Sequence, residues 1–376
     1  MEPGNNPKSE IRNPKSNYTL PFEQCDANAH AHVGGKNASL GSMLQADAPV
    51  PPGFAVTTDA YLKMLTTNNV GQQIKALLEQ LNPKDVEGQE TASKTIRTLI
   101  EQTPMPANIE QAIRAAYNQL CDKCEMNQVP VAVRSSATAE DLPGASFAGQ
   151  QDTFLWVVGV SEVLRHVSKC WSSLYTARAI SYRIEKGFPH EKVYMSVGVQ
   201  KMVNAKAAGV MFTLNPINGD RSKVVIDASW GLGEAIVGGE VTPDNYLVDK
   251  IALEVIKRTI SPKIIEYKVD PQNRRVERVD VPPERQMIQC LDDEEILALT
   301  RYAKIAEKHY GCPQDLEWAI DADLQPPHNI VLLQSRPETV WSKQKRKSIT
   351  SGDKTAMDYI VANLMTGVRV TKKEDE

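Results

Sequence analysis

The chain has 376 residues and a formal net charge of −4, enough length for two or three ordinary domains or one large two-part unit. Its 43 basic residues against 47 acidic ones lack the basic bias of a general nucleic-acid binder. No stretch reaches the ~18 apolar residues of a membrane span and no apolar signal core opens the chain, so a cytoplasmic protein is expected.

Residues 1–19 read as a disordered tail, polar and repeating Asn6-Pro7-Lys8-Ser9 as Asn13-Pro14-Lys15-Ser16. Such a segment buries too little apolar surface to offset the entropy of ordering. From 20 to 190 helical patterns dominate. One carries Ile109, Ile113, Ala116 and Leu120 on a single face, and it ends in Cys121 and Cys124. With no second pair to complete a zinc site, a structural role outweighs redox or metal binding for that pair. All six cysteines are scattered, as suits a reducing setting. The stretch 129–134 alternates as a strand and then opens into a long polar loop. Residues 161–186 read as one helix, with Ser161 as its cap and Gly187 as its stop.

From 191 to 342 the character changes. Strands are expected at 193–203, 209–213, 223–229, 246–249 and 254–260. A helix over 292–310 is capped by Asp292 and closed by Gly311, and strands at 315–320 and 330–336 follow. A mostly helical first part and a sheet-rich second part make this an α+β protein with a cleft between them. Residues 343–376 are a charged linker carrying one candidate docking helix at 353–365.

Four segments can carry chemistry, although the phosphate-binding GxxxxGK[ST] signature is missing. Gly231-Leu232-Gly233 fails the dinucleotide fingerprint because Ile236 occupies the third glycine position, which leaves a tight turn beside a site. In Gly34-Gly35-Lys36-Asn37, two glycines allow close backbone approach, and Lys36 either reaches a phosphate or stands exposed beside a turn. Arg134 closes a strand and can grip phosphate oxygens in pairs. The Ser-, Thr-, Ala- and Gly-rich stretch after it, to Thr153, is either a flap that closes over phosphates or a solvated loop. In the last two strands, Leu316, Trp318 and Ile320 share one face, which leaves Glu317 on the other. Leu332, Gln334 and Arg336 share a face of the second strand. If the two strands form a hairpin, Glu317 lies beside Gln334 and Arg336. Carboxylate and amide oxygens together suit Mg²⁺, which borrows its remaining ligands from phosphates and water. The alternative is a surface Glu–Arg pair worth under ~1 kcal/mol. The six histidines, His30, His32, His166, His190, His309 and His328, read as structural or solvated.

Taken together, the segments 34–40, 50–54, 133–153, 197–203, 209–213, 228–234 and 332–337 resemble the ATP-binding domain of the phosphoenolpyruvate synthase, pyruvate phosphate dikinase and rifampicin phosphotransferase family. The matches run in order over nearly all of 20–342. The resemblance implies an ATP-grasp-like fold of two lobes, 20–190 and 191–342, binding ATP and Mg²⁺. It implies that Lys36, Arg134 and Arg336 meet phosphates and act in catalysis, and that Gly149 and Thr153 belong to the closing loop. It further places Gln200, Met202 and Val203 at the adenine, and Glu317 and Gln334 on Mg²⁺. In that family the β-phosphoryl group of ATP passes to a histidine on a separate swivelling domain, with AMP and phosphate released. No such histidine motif follows residue 337, so a histidine-bearing partner subunit is expected. The extent of the chain is similar to the ATP-binding subunit of phenylphosphate synthase, which implies phenol as acceptor. A divided phosphoenolpyruvate synthase or antibiotic phosphotransferase is the alternative, and a nucleotide-binding scaffold without turnover is a third reading.

Overall fold

In a computed structural model, the described residues are 17–82, 85–138, 152–270 and 275–341. Gly149, the rest of the polar loop at 139–151, the first sixteen residues and the candidate helix at 353–365 lie outside them. The chain divides into Met1–Pro337 and Glu338–Glu376. Within the second unit, the Glu338 carboxylate accepts from the backbone N–H groups of Val340 and Trp341.

The first unit is a mixed α+β fold built on two main sheets. Its early elements are β1 (Thr19–Pro21), α1 (His30–Gln45), β2 (Gly53–Val56), α2 (Thr58–Thr66), α3 (Val70–Glu79), α4 (Val86–Gln102) and α5 (Ala107–Lys123). Next come β3 (Val131–Ala137), β4 (Thr153–Val157), α6 (Val160–Ser173), α7 (Ala177–Lys186) and β5 (Met195–Lys201). Five of these strands form one sheet in the order β1-β2-β5-β3-β4, every neighbour antiparallel. Its core joins Tyr61, Ile96, Ile109, Ile113, Trp171 and Val199, so the helices α2 to α7 cover its buried side.

After β5 the chain needs only Met202–Asn204 to reach β6 (Ala205–Phe212), which belongs to the other sheet. There follow β7 (Lys223–Trp230), α8 (Glu234–Val237), β8 (Asp244–Asp249), β9 (Glu254–Thr259), β10 (Ile265–Asp270) and β11 (Arg275–Asp280). The chain then forms α9 (Pro283–Gln286), α10 (Asp293–Tyr310), β12 (Gln314–Asp321) and β13 (Ile330–Pro337). This second sheet is also antiparallel, in the order β13-β12-β6-β7-β8-β9, while β10 and β11 pair as a separate hairpin.

Local signals explain most of these elements. The Asp292 side chain accepts from the Glu295 N–H while the Glu295 side chain accepts from the Asp292 N–H, a reciprocal cap that starts α10. The expected single helix over 161–186 is two helices. Thr176 accepts from the Ala179 N–H and starts α7 afresh, and Gly159 rather than Ser161 stands at the cap of α6. A Ser or Thr with an available acceptor competes with helix continuation wherever the backbone already turns. The hairpin β10–β11 was not anticipated, although Ile265, Tyr267 and Val269 alternate with polar residues as a strand requires.

Helix α1 binds both sheets. Asn37, which is 2% exposed, donates to Ser196 Oγ, while Ser39 Oγ donates to the Ser335 carbonyl at 2.6 Å. Val33, Leu40 and Met43 complete the core of the second sheet with Trp318, Leu299 and Ile226. Trp318 is fully buried there, the kind of side chain whose truncation costs about 3–5 kcal/mol.

A pH effect arises at the end of α7. Arg183 is 1% exposed, and its Nε donates to Nδ1 of His190 at 2.8 Å, so the imidazole must be neutral with its proton on Nε2. Burial, reinforced by the Arg183 charge, pushes the His190 pKa down to about 4. Between pH ~6.5 and ~4 the unfolded chain therefore binds a proton that the folded chain refuses, and stability falls as pH falls through that window. The loss approaches about 3 kcal/mol at its acid end. Urea unfolding at pH 7.5 and 4.5 is expected to give a shallower acid loss in His190→Gln, which keeps the acceptor but cannot be protonated. An identical pH slope in the variant would refute this assignment.

Candidate functional site

Arg134 sits on β3, opposite Thr153 on β4 and Gly198 on β5. Its guanidinium leaves that sheet and meets the other one. One terminal nitrogen donates to the Leu333 carbonyl at 3.2 Å; the other donates to Glu317 Oε2 at 3.0 Å and Gln334 Oε1 at 3.2 Å. The Arg134 side chain is 20% exposed and that of Glu317 29%, so this ion pair is partly screened rather than buried. Arg134 Nε is buried with no hydrogen-bond partner among the described residues.

A bulge prepares this meeting. On the paired strands Glu317 stands opposite Gln334 and Trp318 opposite Leu332, so Leu333 is the extra residue. Strict alternation puts Leu332 on the face of Gln334, as expected from the sequence. The bulge overturns that: Leu332 joins Trp318 in the core, and Leu333 and Gln334 both serve the opposite face. The unpaired Leu333 carbonyl is then available to Arg134.

Lys36 arrives from α1. Gly34 interrupts that helix with φ 71° and ψ 172°, and a Cβ there would lie 2.2 Å from the Ser136 carbonyl oxygen. This close approach sets the following residues against β3. Lys36 Nζ donates to the Ser135 carbonyl at 3.1 Å, and the Asn37 N–H donates to Ser136 Oγ. Lys36 and Arg134 thus meet at neighbouring residues of one strand.

Arg336 shares the site face with Glu317, but it is not paired with it. Its Nε and a terminal nitrogen both reach Asp315 Oδ2, at 2.7 and 2.6 Å. The Arg336 side chain is 53% exposed. The residues expected at the adenine are placed less uniformly. Gln200 is buried and donates to the Pro51 carbonyl. Met202 packs with Ala132 and Leu232, whereas Val203 packs with Ala208, Ala319 and Val331 on the site face of the second sheet.

Three acidic residues were not singled out from the sequence. Asp315 holds Arg336. Glu234, at the start of α8, is close enough to Arg134 and Glu317 for their charges to act on it; burial raises its carboxyl pKa, and Arg134 partly offsets that. Its signal was its place directly after Gly231-Leu232-Gly233. Asp227 stands on the same sheet face, since Glu317 pairs with Val210 and Val210 with Asp227. Asn245 donates to it at 2.7 Å, and burial raises its pKa.

Three oxygen acceptors of the second sheet therefore converge within hydrogen-bond reach of one guanidinium from the first. Among the described residues no three His, Cys, Asp or Glu side chains form a metal cage. Comparison with known proteins decides the family. Residues 30–357 match the family described as pyruvate phosphate dikinase, AMP/ATP-binding domain. The chain belongs to this family.

Lys36, Arg134, Glu317, Gln334 and Arg336 all fall inside the matched span. Similar relatives include a probable phosphoenolpyruvate synthase of Staphylothermus marinus, 45% identical over 336 residues, covering 84% of this chain and 40% of the relative. Another, from Methanocaldococcus jannaschii, is 46% identical over 315 residues, covering 84% of this chain and 26% of the relative. The phosphoenolpyruvate synthase of Pyrococcus furiosus is 41% identical over 360 residues, covering 86% of this chain and 44% of its own length. The chain thus spans less than half of these relatives. No helix among the described residues is long and apolar enough to cross a membrane.

Proposed function

We propose that this chain is the ATP-binding part of a phosphoenolpyruvate-synthase-like phosphotransferase, which binds Mg·ATP and passes the β-phosphoryl group to a histidine on another domain or subunit. AMP leaves as the histidine nitrogen replaces it at the β-phosphorus, and one water hydrolyses the β–γ linkage to release phosphate. The observation that carries the reading is the reach of Arg134 from the first sheet to Glu317 and Gln334 on the second. The two sheets, joined by Met202–Asn204, would be the walls of an ATP-grasp-like cleft, and Val203, Ala208 and Val331 would offer the adenine an apolar floor.

The donor set suits Mg²⁺. Glu317 Oε2 and Gln334 Oε1 are hard oxygens on adjacent strands, and two protein ligands are enough where phosphates and water supply the rest. Bound there, the ion would neutralise phosphate charge. The chain's own task is then to exchange partners: the Arg134 guanidinium turns from Glu317 and Gln334 toward the phosphates and frees both oxygens. Lys36 and Arg336 add positive charge on either side, and Gly149 and Thr153 would belong to the loop that closes over the nucleotide. Positioning and charge neutralisation carry most of phosphoryl transfer, and removing one such group costs on the order of 10²–10³ in rate.

The named relatives are phosphoenolpyruvate synthases, which favours that reaction type over phenol phosphorylation. Phosphorus NMR of Mg·ATP with the chain provides the test. Nucleotide signals are expected to shift on binding, with little AMP formed until a histidine-bearing domain is supplied, and to stay unshifted with Lys36→Ala. Sustained conversion to ADP by the chain alone would overturn the β-phosphoryl reading.

A further inference from the structure

Thr153, the residue paired with Arg134, follows directly on an acid that the nucleotide site described above does not use. The backbone carbonyl of Asp152 accepts from the Ser135 N–H at 3.3 Å and from Ser135 Oγ at 3.1 Å, and the Ser135 carbonyl in turn holds Lys36. Asp152 is therefore tied by its backbone to the strand that carries Arg134 and receives Lys36. Burial raises the pKa of the neighbouring Cys170 thiol, Asp152 raises it further and Lys36 lowers it, so both charges are felt at one buried point. A carboxylate at this place works against the site. It attracts the lysine that phosphate needs, and it repels the phosphate itself.

The side chain of Asp152 is directed to α4. Its Oδ2 meets a terminal nitrogen of Arg97 there at 3.5 Å. Arg97 is oriented from behind: its Nε donates to Ser172 Oγ at 3.5 Å and lies 3.9 Å from Glu101 Oε1, one turn along the helix. Ser172 is fully buried on α6 and donates to that same Glu101 oxygen at 2.6 Å. The two helices thereby set the guanidinium with one nitrogen toward Asp152. The side chains of Arg97 and Asp152 are 36% and 35% exposed, so the pair adds little to stability. It nevertheless decides where a full negative charge stands.

We propose that Arg97 is a positioning residue of the nucleotide site: by neutralising Asp152 and drawing its carboxylate to α4, it keeps that acid from competing with phosphate for Lys36. The inference rests on the proposed ATP binding and adds to it a residue that acts without touching the nucleotide. Because Arg97 acts through the charge of Asp152, its loss is reversed when that charge is removed as well. A purely structural role for Arg97 would give no such reversal.

Calorimetric titration of the full chain with Mg·ATP is the test. Arg97→Ala is expected to bind about three- to tenfold more weakly than the parent at about 0.05 M salt, and the ratio is expected to shrink below about twofold near 0.5 M. Adding Asp152→Ala to Arg97→Ala is expected to restore affinity to within about twofold of the parent, whereas adding Glu101→Gln is not. Arg97→Lys, which keeps the charge, is expected to bind as the parent does. Melting temperatures are expected to stay within about 3 °C of the parent. Should Arg97→Ala fall outside that range, Arg97→Gln, which keeps the stem of the side chain, takes its place in the same comparison. Parent-like affinity in the Arg97 variant, a loss that persists at high salt, or a loss reversed by Glu101→Gln and not by Asp152→Ala would each overturn the proposal while the parent still binds nucleotide. A parent chain that does not bind Mg·ATP would instead overturn the nucleotide reading, and this proposal with it.

Discussion

Arg134→Ala is expected to bind Mg·ATP about 10- to 100-fold more weakly than the parent chain while keeping its fold. The guanidinium spans two sheets and contributes charge-assisted hydrogen bonds, the class worth about 1.5–3 kcal/mol each. Without nucleotide, those bonds go to Glu317, Gln334 and the Leu333 carbonyl, in a setting where Glu317 is 29% exposed and water can replace the lost donor. The cost to folding is therefore small beside the cost to binding. Glu317→Gln is the informative companion: it removes the carboxylate charge but keeps an oxygen, and its affinity is expected to fall with Mg·ATP and to change little with ATP in excess chelator. Calorimetric titration measures both. An Arg134→Ala chain that binds Mg·ATP as tightly as the parent would remove the basis of the nucleotide-site reading.

Gly34→Ala is expected to lose roughly 2–6 kcal/mol of stability, from backbone strain plus steric overlap. At φ 71° and ψ 172° the residue lies in a region that is essentially restricted to glycine. The added methyl carbon would also fall 2.2 Å from the Ser136 carbonyl oxygen and 2.5 Å from its hydroxyl, so either α1 or β3 must move. Because Lys36 and Asn37 hold Ser135 and Ser136, the displacement reaches the site directly. Gly187→Ala makes the control. It too has a positive φ, 65°, but nothing lies within 4 Å of the added carbon, and the expected loss is only about 1 kcal/mol. Urea unfolding compares the two, and equal losses would show that the contact with Ser136 is not what requires glycine at 34.

Much of this protein was determined by the sequence alone, wherever the governing interaction was short-ranged. Asp292 and Glu295 announce the start of α10 because both partners lie within one turn. Trp318 and Leu316 mark the buried face of β12 because side chains alternate in any strand. Lys36, Arg134, Glu317, Gln334 and Arg336 stood out because each residue type matched a phosphate or a hard cation. Tertiary structure decided what these residues touch. Arg134 and Glu317 are 183 residues apart, and no local rule pairs them. Nor does the alternation of β13 reveal its bulge at Leu333, because a bulge is a relation between two strands. That single extra residue turns Gln334 to the site and Leu332 to the core, and Arg336 consequently meets Asp315 while Glu317 remains for Arg134. Glu234 and Asp227 were illegible for the same reason: a lone carboxylate in sequence carries no sign of which charges will surround it after the sheet has assembled.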